Sequence, residues 1–384
     1  MVLIQRCDSY DKELILEKIK EVFEKNGGIE KYAAPGLNVV IKPNLISKKS
    51  PDAAATTHPS IVWAVAKLCK EAGANVIIAE SPGGPYEKPY LTGIYKGTGM
   101  AQVAEETGAL LNYDLTETKV TCEEAKYLKT IGILTPLAQA DRIINLCKLK
   151  THGMMVYTGA VKNMFGSIAG LKKAEYHLKM SDYDQFADSI IDIFLQNHVS
   201  LNIIDGIVGM HRDGPTNGDP IHTNVLISSE NAFEADLAAL DVICANPMRV
   251  PVFKMAYARG LCGKDCSNID FGNGLKPEEV KVPEFIVNYN EEFKNLYFKS
   301  GPLGKILQKM IRPRPVFNKK LCRACHECEK CCPAKVITVT KENKAQVKLE
   351  GCIRCFCCQE LCPFKAVTIK KPLINKIAIR SRNK

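Results

Sequence analysis

Along the first 245 or so residues, short β-branched and aliphatic runs alternate with longer stretches whose apolar positions recur every three or four residues. The runs Val2–Ile4, Asn38–Ile41, Val76–Ala79, Arg142–Leu146, Leu201–Ile204 and Val225–Ile227 read as buried strands. Between several of them lie helical patterns. Asp11–Asn26 sets Leu14, Ile15, Ile19, Val22 and Phe23 on one face and stops at Gly27 and Gly28. Pro59–Ala72 opens with proline in its first turn and closes at Gly73, and Asp182–Gln196 and Ala232–Ala245 are two further amphipathic stretches. Strands alternating with helices predict βαβ units. The expected fold is α/β, a mostly parallel sheet flanked by helices, over residues 1–270.

Residues 271–314 break that alternation with FGNG and the prolines Pro277, Pro283, Pro302 and Pro313, and read as an irregular connector holding at most a short helix at Leu303–Ile311. Residues 315–371 then form a second, smaller unit, and residues 372–384 a basic tail. Charge divides along the same boundary. Residues 302–384 hold 20 Lys/Arg against 5 Asp/Glu, whereas the preceding 301 hold 32 against 37. No apolar run approaches the ~18 residues of a membrane-spanning helix and the N-terminus carries no signal-like stretch, so a cytoplasmic protein is expected.

The cysteines change the picture. Ten of the seventeen lie between Cys322 and Cys362. A disulfide framework needs an exported chain, so dense cysteine here points to metal. Two copies of C-x2-C-x2-C-x3-C-P stand 30 residues apart, Cys322–Pro333 and Cys352–Pro363, separated by an expected hairpin at Val336–Lys348. A tight C-x2-C-x2-C loop reaches three corners of an iron–sulfur cube, and in the bacterial ferredoxin pattern the last cysteine of each run serves the other cube. The expected cofactors are therefore two [4Fe-4S] clusters. Cys322, Cys325, Cys328 and Cys362 would hold one, and Cys352, Cys355, Cys358 and Cys332 the other, within a small α+β ferredoxin-like domain. A zinc ribbon would not use the third cysteine of each loop. Cys331 and Cys357 fall off the pattern and read as spare thiols. Cys262 and Cys266 read as ordinary thiols.

With these motifs the chain resembles the domain of unknown function 362 family, in its version with a C-terminal two-cluster ferredoxin domain. The body resemblance is carried by IKPNL (Ile41–Leu45), TTHP (Thr56–Pro59), Glu80, NLCKLKTH (Asn145–His152), TGAVKNMFG (Thr158–Gly166), DGIVGM (Asp205–Met210) and Asn224–Ile243. It spans about residues 1–250, and the ferredoxin part about 315–371. The family implies fold and cluster content rather than a reaction. A weaker likeness, to the nickel-pincer lactate racemases, extends only to the N-terminal α/β layout and carries no residues over.

Several charged residues follow predicted strands: Lys42 and Asn44, Glu80, then Lys148, Lys150 and His152, and Asp205. In open parallel sheets ligands bind beyond the carboxyl ends of strands. Lys42, Asn44, Lys148, Lys150, Lys162 and Asn163 are thus candidates to bind an anionic substrate, with Glu80 and His152 as candidate proton donors. The plainer alternative is that a lysine at a strand end is merely solvated and that Asp before Gly marks a turn. His58, before Pro59, either caps a helix or faces the crevice. His211 opens a Gly/Pro-rich loop read as a lid, while His177, His198, His222 and His326 read as structural or solvated. GTGMAQ lacks the third glycine of a dinucleotide fingerprint.

Taken together these features predict an iron–sulfur oxidoreductase passing electrons between a redox partner and an anionic substrate or cofactor in the body. The basic C-terminal region favours an acidic partner, a small ferredoxin or flavodoxin, and the absence of a recognised motif or interleaved aromatics disfavours nucleic acid. A carrier whose body only docks a partner enzyme, and a non-catalytic use of the clusters, are the alternatives.

Overall fold

The computed structural model describes residues 1–180, 182–289, 313–342 and 344–370. The expected helix Leu303–Ile311 and the basic tail lie outside these residues.

Apolar alternation builds one large sheet. Its strands are β1 (Val2–Arg6), β2 (Asn38–Lys42), β3 (Asn75–Ile78), β4 (Leu110–Leu111), β7 (Arg142–His152), β8 (Val156–Thr158), β9 (Val199–His211) and β10 (Asp219–Ser229), and a separate hairpin joins β5 (Glu117–Thr121) to β6 (Thr130–Leu134). The spatial order is β1-β10-β9-β7-β2-β3-β4, with β8 paired to β7. Strands β9, β7, β2, β3 and β4 run parallel, and β10 and β8 pair antiparallel to their neighbours. The mostly parallel sheet is as expected.

Successive side chains of a strand face opposite sides. Val39 and Ile41 accordingly join the apolar layer under α1 (Lys12–Lys25), α2 (Pro59–Glu71), α3 (Lys88–Gly97) and α4 (Met100–Thr107), while Val40 joins the other layer. That second layer takes Phe186 and Ile190 of α8 (Tyr183–Leu195), Leu237 of α9 (Ala232–Val242) and Val252 of α10 (Pro251–Ala258), the chain between β6 and α8 contributing the short α5 (Thr135–Ala138), α6 (Ala160–Asn163) and α7 (Lys172–Lys179). The Asp11 side chain caps α1 by accepting from the amides of Glu13 and Leu14, both at 3.0 Å.

Two strands run well past their apolar runs. β7 reaches His152 and β9 reaches His211, although the hydrophobic patterns stop at Leu146 and Ile204. The extensions carry Lys148, Lys150 and Asp205, which are buried rather than solvated. Hydropathy marks a strand only while its side chains are apolar, so it fails where polar groups are interred in pairs.

The C-terminal unit comprises β11 (Arg314–Phe317) paired with β14 (Val367–Lys370), and β12 (Ile337–Thr340) paired with β13 (Lys344–Val347), with one helical turn after each cysteine loop, Glu327–Lys330 and Cys357–Glu360. The β12–β13 hairpin falls within the expected Val336–Lys348.

Candidate functional site

A cavity of about 100 Å³ lies where the carboxyl ends of β2 and β3 meet the C-terminal unit. Asn44, Glu80, Ser81, Lys162, Asn163, Phe165, Lys173 and His177 wall it from the body, and Cys331, Cys357, Glu360 and Leu361 from the other side. Lys42 stands behind Glu80 and is ion-paired to it, both side chains being almost fully buried. Burial pushes the Glu80 carboxyl up and the Lys42 ammonium down, and each opposes the other's shift. A Cβ at Gly166 would collide with Glu80 Oε1 and come within 2.8 Å of Lys42 Nζ, so the glycine of the TGAVKNMFG segment lets the backbone pass over this pair.

The lysines in the cavity wall, Lys162 and Lys173, and Lys150 behind it differ in what they hold. Lys173 donates to Ser81 O (2.7 Å), Ser81 Oγ (2.8 Å) and Ile168 O (2.9 Å), which exhausts its three donors and ties the wall together. Lys150 donates to Asn44 Oδ1 (2.8 Å) and Ala55 O (2.6 Å). Burial lowers both ammonium groups to about 7. Lys162 makes no hydrogen bond among the described residues, and its Nζ lies 5.5 Å from the Phe165 ring centroid. It is lowered by burial and opposed chiefly by Glu360.

An amide chain fixes the floor. Asn44 Nδ2 donates to Asn163 Oδ1 (2.8 Å), Asn163 Nδ2 to Asn145 Oδ1 (2.7 Å), and Asn145 Nδ2 to Asn202 Oδ1 (2.8 Å). Asn163 is therefore a positioning residue for Asn44. Its helix, α6, is anchored by Asp236, which accepts from Ala160 N (2.6 Å), Val161 N (3.0 Å) and the Tyr157 hydroxyl (3.0 Å).

His152 is buried beside the cavity. Its Nδ1 accepts from the amides of Met154 (3.0 Å) and Met155 (3.1 Å), which leaves the proton on Nε2, 3.2 Å from Glu360 Oε1. Burial holds the ring well below its usual range, hence neutral, and pushes Glu360 up.

Lys148 stands apart from the cavity. It donates to Asp205 Oδ2 (2.8 Å) and the Tyr10 hydroxyl (2.9 Å), Tyr10 donates to Asp205 Oδ1 (2.8 Å), and Asp205 Oδ2 also accepts from His58 N (2.9 Å). This closed set locks β7 to β9, so the expectation that Lys148 binds substrate is replaced by a structural role. His58 caps α2 through Nδ1 and Ser60 N (3.2 Å) and stacks on Tyr10. The loop after His211 does not line the cavity. Thr216 Oγ1 donates to Glu360 O (2.9 Å) there, so the loop clasps the C-terminal unit instead of closing as a lid.

Among the described residues no three His, Cys, Asp or Glu side chains are grouped to hold a single metal ion. The motif cysteines line two separate cavities. Cys322, Cys325, Cys328 and Cys362 wall one, and Cys332, Cys352, Cys355 and Cys358 the other. Each cavity thus takes the three motif thiols of one loop and the fourth from the other copy, and Cys357 lines the second cavity as well. The backbone repeats with the sequence: Ala324, His326 and Lys335 are left-handed (φ 53°, 64° and 50°), as are Arg354, Phe356 and Lys365 (φ 61°, 65° and 50°). The fourth cysteine of each copy receives a backbone amide, from Val336 to Cys332 Sγ (3.4 Å) and from Ala366 to Cys362 Sγ (3.3 Å).

The model of the family described as Domain of unknown function (DUF362) matches residues 39–241, from β2 to the end of α9. The chain belongs to that family. A thylakoid-associated protein of Synechocystis sp. is 29% identical over 268 residues, covering 68% of this chain and 79% of its own. Among solved structures, the lactate racemase apoprotein of Thermoanaerobacterium thermosaccharolyticum aligns at 14% identity and TM-score 0.39, over 60% of this chain and 54% of its own. A Thermotoga maritima protein aligns at 12% identity and TM-score 0.33, over 56% and 55%. The chain spans about half the length of each of these structures.

Within the DUF362 body, Asn44, Glu80, Lys162 and Asn163 wall the cavity, Lys42 and Lys150 lie behind it bonded to Glu80 and Asn44, and His152 is adjacent. Sequence reasoning missed Lys173, Glu360 and the placement of His177, whose Nδ1 is buried without a hydrogen-bond partner. Glu360 is one of only five acidic residues after position 301, which was its one visible signal. No helix among the described residues is long and apolar enough to cross a membrane.

Proposed function

We propose that the chain is an iron–sulfur oxidoreductase in which two [4Fe-4S] clusters of a ferredoxin-type C-terminal domain pass single electrons between an acidic redox partner, a small ferredoxin or flavodoxin, and an anionic substrate in the cavity of the DUF362 body. The reading is carried by the two cavities, each walled by the four cysteines of one crossed set. A cube spreads its thiolates over separate irons, so ligands ringing a cavity suit it better than they would suit a lone ion. The two amide-to-sulfur bonds are of the kind that stabilises cluster sulfurs.

On the body side Lys162 is the anion-binding group, because its donors are uncommitted. Glu80, held up by burial, keeps a proton closer to neutrality than an ordinary carboxyl, and neutral His152 carries one on Nε2. Glu80 supplies the proton that accompanies reduction of an anion, whereas neutral His152 offers a hydrogen bond from Nε2 and no transferable proton. The 20-to-5 excess of basic residues after position 301 suits an acidic partner by electrostatic steering.

Iron and acid-labile sulfide analysis of protein purified without oxygen tests the clusters, and mass spectrometry of what denaturation releases identifies any further cofactor. A protein that holds neither iron nor sulfide after anaerobic reconstitution sinks the reading. With clusters present, reoxidation of the reduced protein by a panel of small reducible carboxylates, 2-oxo and α,β-unsaturated acids, is slowed in Lys162→Gln. Unaltered kinetics would instead describe a carrier whose body docks a partner enzyme.

A further inference from the structure

We infer that the two cysteine sites are not interchangeable: the site of Cys332, Cys352, Cys355 and Cys358 serves the cavity, and the site of Cys322, Cys325, Cys328 and Cys362 serves the exterior. This rests on the proposed clusters and adds their order. The two loops have the same spacing and the same backbone, yet they are buried differently. His326 is exposed where its repeat mate Phe356 is 2% exposed, and Cys325 is exposed where Cys355 is partly covered. The cover comes from the body. Gln359 Nε2 donates to Asp213 O (3.1 Å) and Thr216 Oγ1 to Glu360 O (2.9 Å), which presses the second loop's helical turn onto the body.

The off-pattern thiols show which site the cavity meets. Cys331 precedes Cys332 and Cys357 precedes Cys358, both ligands of the second site, and both thiols wall the cavity. Their repeat mates beside the first site are Leu361 and Glu327. Leu361 also reaches the cavity, but it packs as an apolar plug against Gly83, where an added Cβ would collide with it. The charges agree with this division. Lys162 and Glu360 wall the same cavity as Cys331 and Cys357. The first site's cavity is instead walled by exposed Arg323, His326 and Phe364. An ammonium beside a cube favours its reduced, more negative state, so removing it lowers the midpoint potential.

The test is a redox titration of the full chain carrying both clusters, followed by electron paramagnetic resonance. Arg323→Gln marks the first site by lowering one of the two midpoint potentials. Lys162→Gln is expected to lower the other and leave the marked one unmoved. Should Lys162→Gln not fold, Lys162→Met removes the same charge and is expected to lower the same potential. If the cavity substitutions move the potential that Arg323→Gln moves, or move neither, the assigned order is overturned although the clusters stand. If the wild-type protein shows no cluster signal, the proposed function fails as well.

Discussion

The Lys148 and Lys162 neighbourhoods began as one expectation, lysines delivered by the sheet's carboxyl edge to an anion, and they have opposite chemistry. Around Lys148 every group is answered: ammonium, phenol, carboxylate and a backbone amide close a ring of bonds of 2.8–2.9 Å. Around Lys162 the ammonium has no hydrogen bond among the described residues, and the neighbouring His177 Nδ1 is buried without a partner. Lys148 is buried and fully answered, which reads as structure, whereas Lys162 is half-buried at the cavity wall and its donors are left to whatever enters the cavity. Position at a strand end does not separate the two. Hydrogen-bond completeness does.

The comparison breaks most visibly if Asp205 is replaced. Asp205→Ala leaves Lys148 buried without its counter-ion, a change that typically costs about 3–5 kcal/mol. Urea unfolding of the folded fraction reads the loss as a fall in the midpoint with an unchanged slope. A cost below about 1 kcal/mol would mean that the ring is not the lock between β7 and β9.

Lys162→Gln is expected to do the reverse. Unfolding stays within about 0.5 kcal/mol of wild type, since no hydrogen bond is lost. Affinity for a small anion such as inorganic phosphate falls roughly ten- to a hundredfold, as losing a charge-assisted hydrogen bond implies. Calorimetric titration of both proteins checks it, and equal affinities would remove Lys162 from the site.

How much of this was legible beforehand follows from what each signal encodes. The sheet was readable from the strands whose faces are apolar, such as Val39–Ile41 in β2, because alternate burial writes itself into hydropathy. β7 and β9 were cut short at Leu146 and Ile204 because their outer halves bury Lys148, Lys150 and Asp205, and pairing partners distant in sequence leave no local trace. The cysteine repeat was readable, and the backbone repeats with it, because spacing within a run is a local demand; the crossed ligand sets are a proposal drawn from the ferredoxin pattern. Glu360 was not readable, because its neighbours His152, Lys150 and Lys162 lie some two hundred residues away and only the docking of the two units brings them together.

The pH dependence sharpens the contrast further. Lys150 is lowered to about 7 by burial, against an ordinary lysine value near 10.4 in the unfolded chain. Below about pH 7 both states are protonated and the burial cost is fully felt. From there to about pH 9 the unfolded chain keeps a proton that the folded chain has released, so stability rises with pH, by on the order of 1–2 kcal/mol. Lys173 adds in the same direction. Anion affinity falls over the same window as the cavity loses positive charge. Lys150→Met flattens the stability rise in a pH series of urea midpoints, and a wild-type curve that is already flat would contradict the burial of these ammonium groups.

The smallest expected effect lies at the seam between the two units. The Thr216 hydroxyl donates to Glu360 O at 2.9 Å, and Thr216 is 1% exposed. Thr216→Ala deletes one hydrogen bond at the clasp and leaves a carbonyl less well satisfied, worth about 0.5–1.5 kcal/mol. Because this bond joins the loop after β9 to the turn after the second cysteine loop, the loss falls on docking and not on either core. Amide hydrogen exchange at Gln359–Cys362 therefore quickens in the variant, while amides of β2 and β7 exchange at wild-type rates. Equal acceleration in both would show that the body and the C-terminal unit open together. The cavity would then be a feature of one cooperative domain, and the difference between its open and closed lysines could not come from the seam.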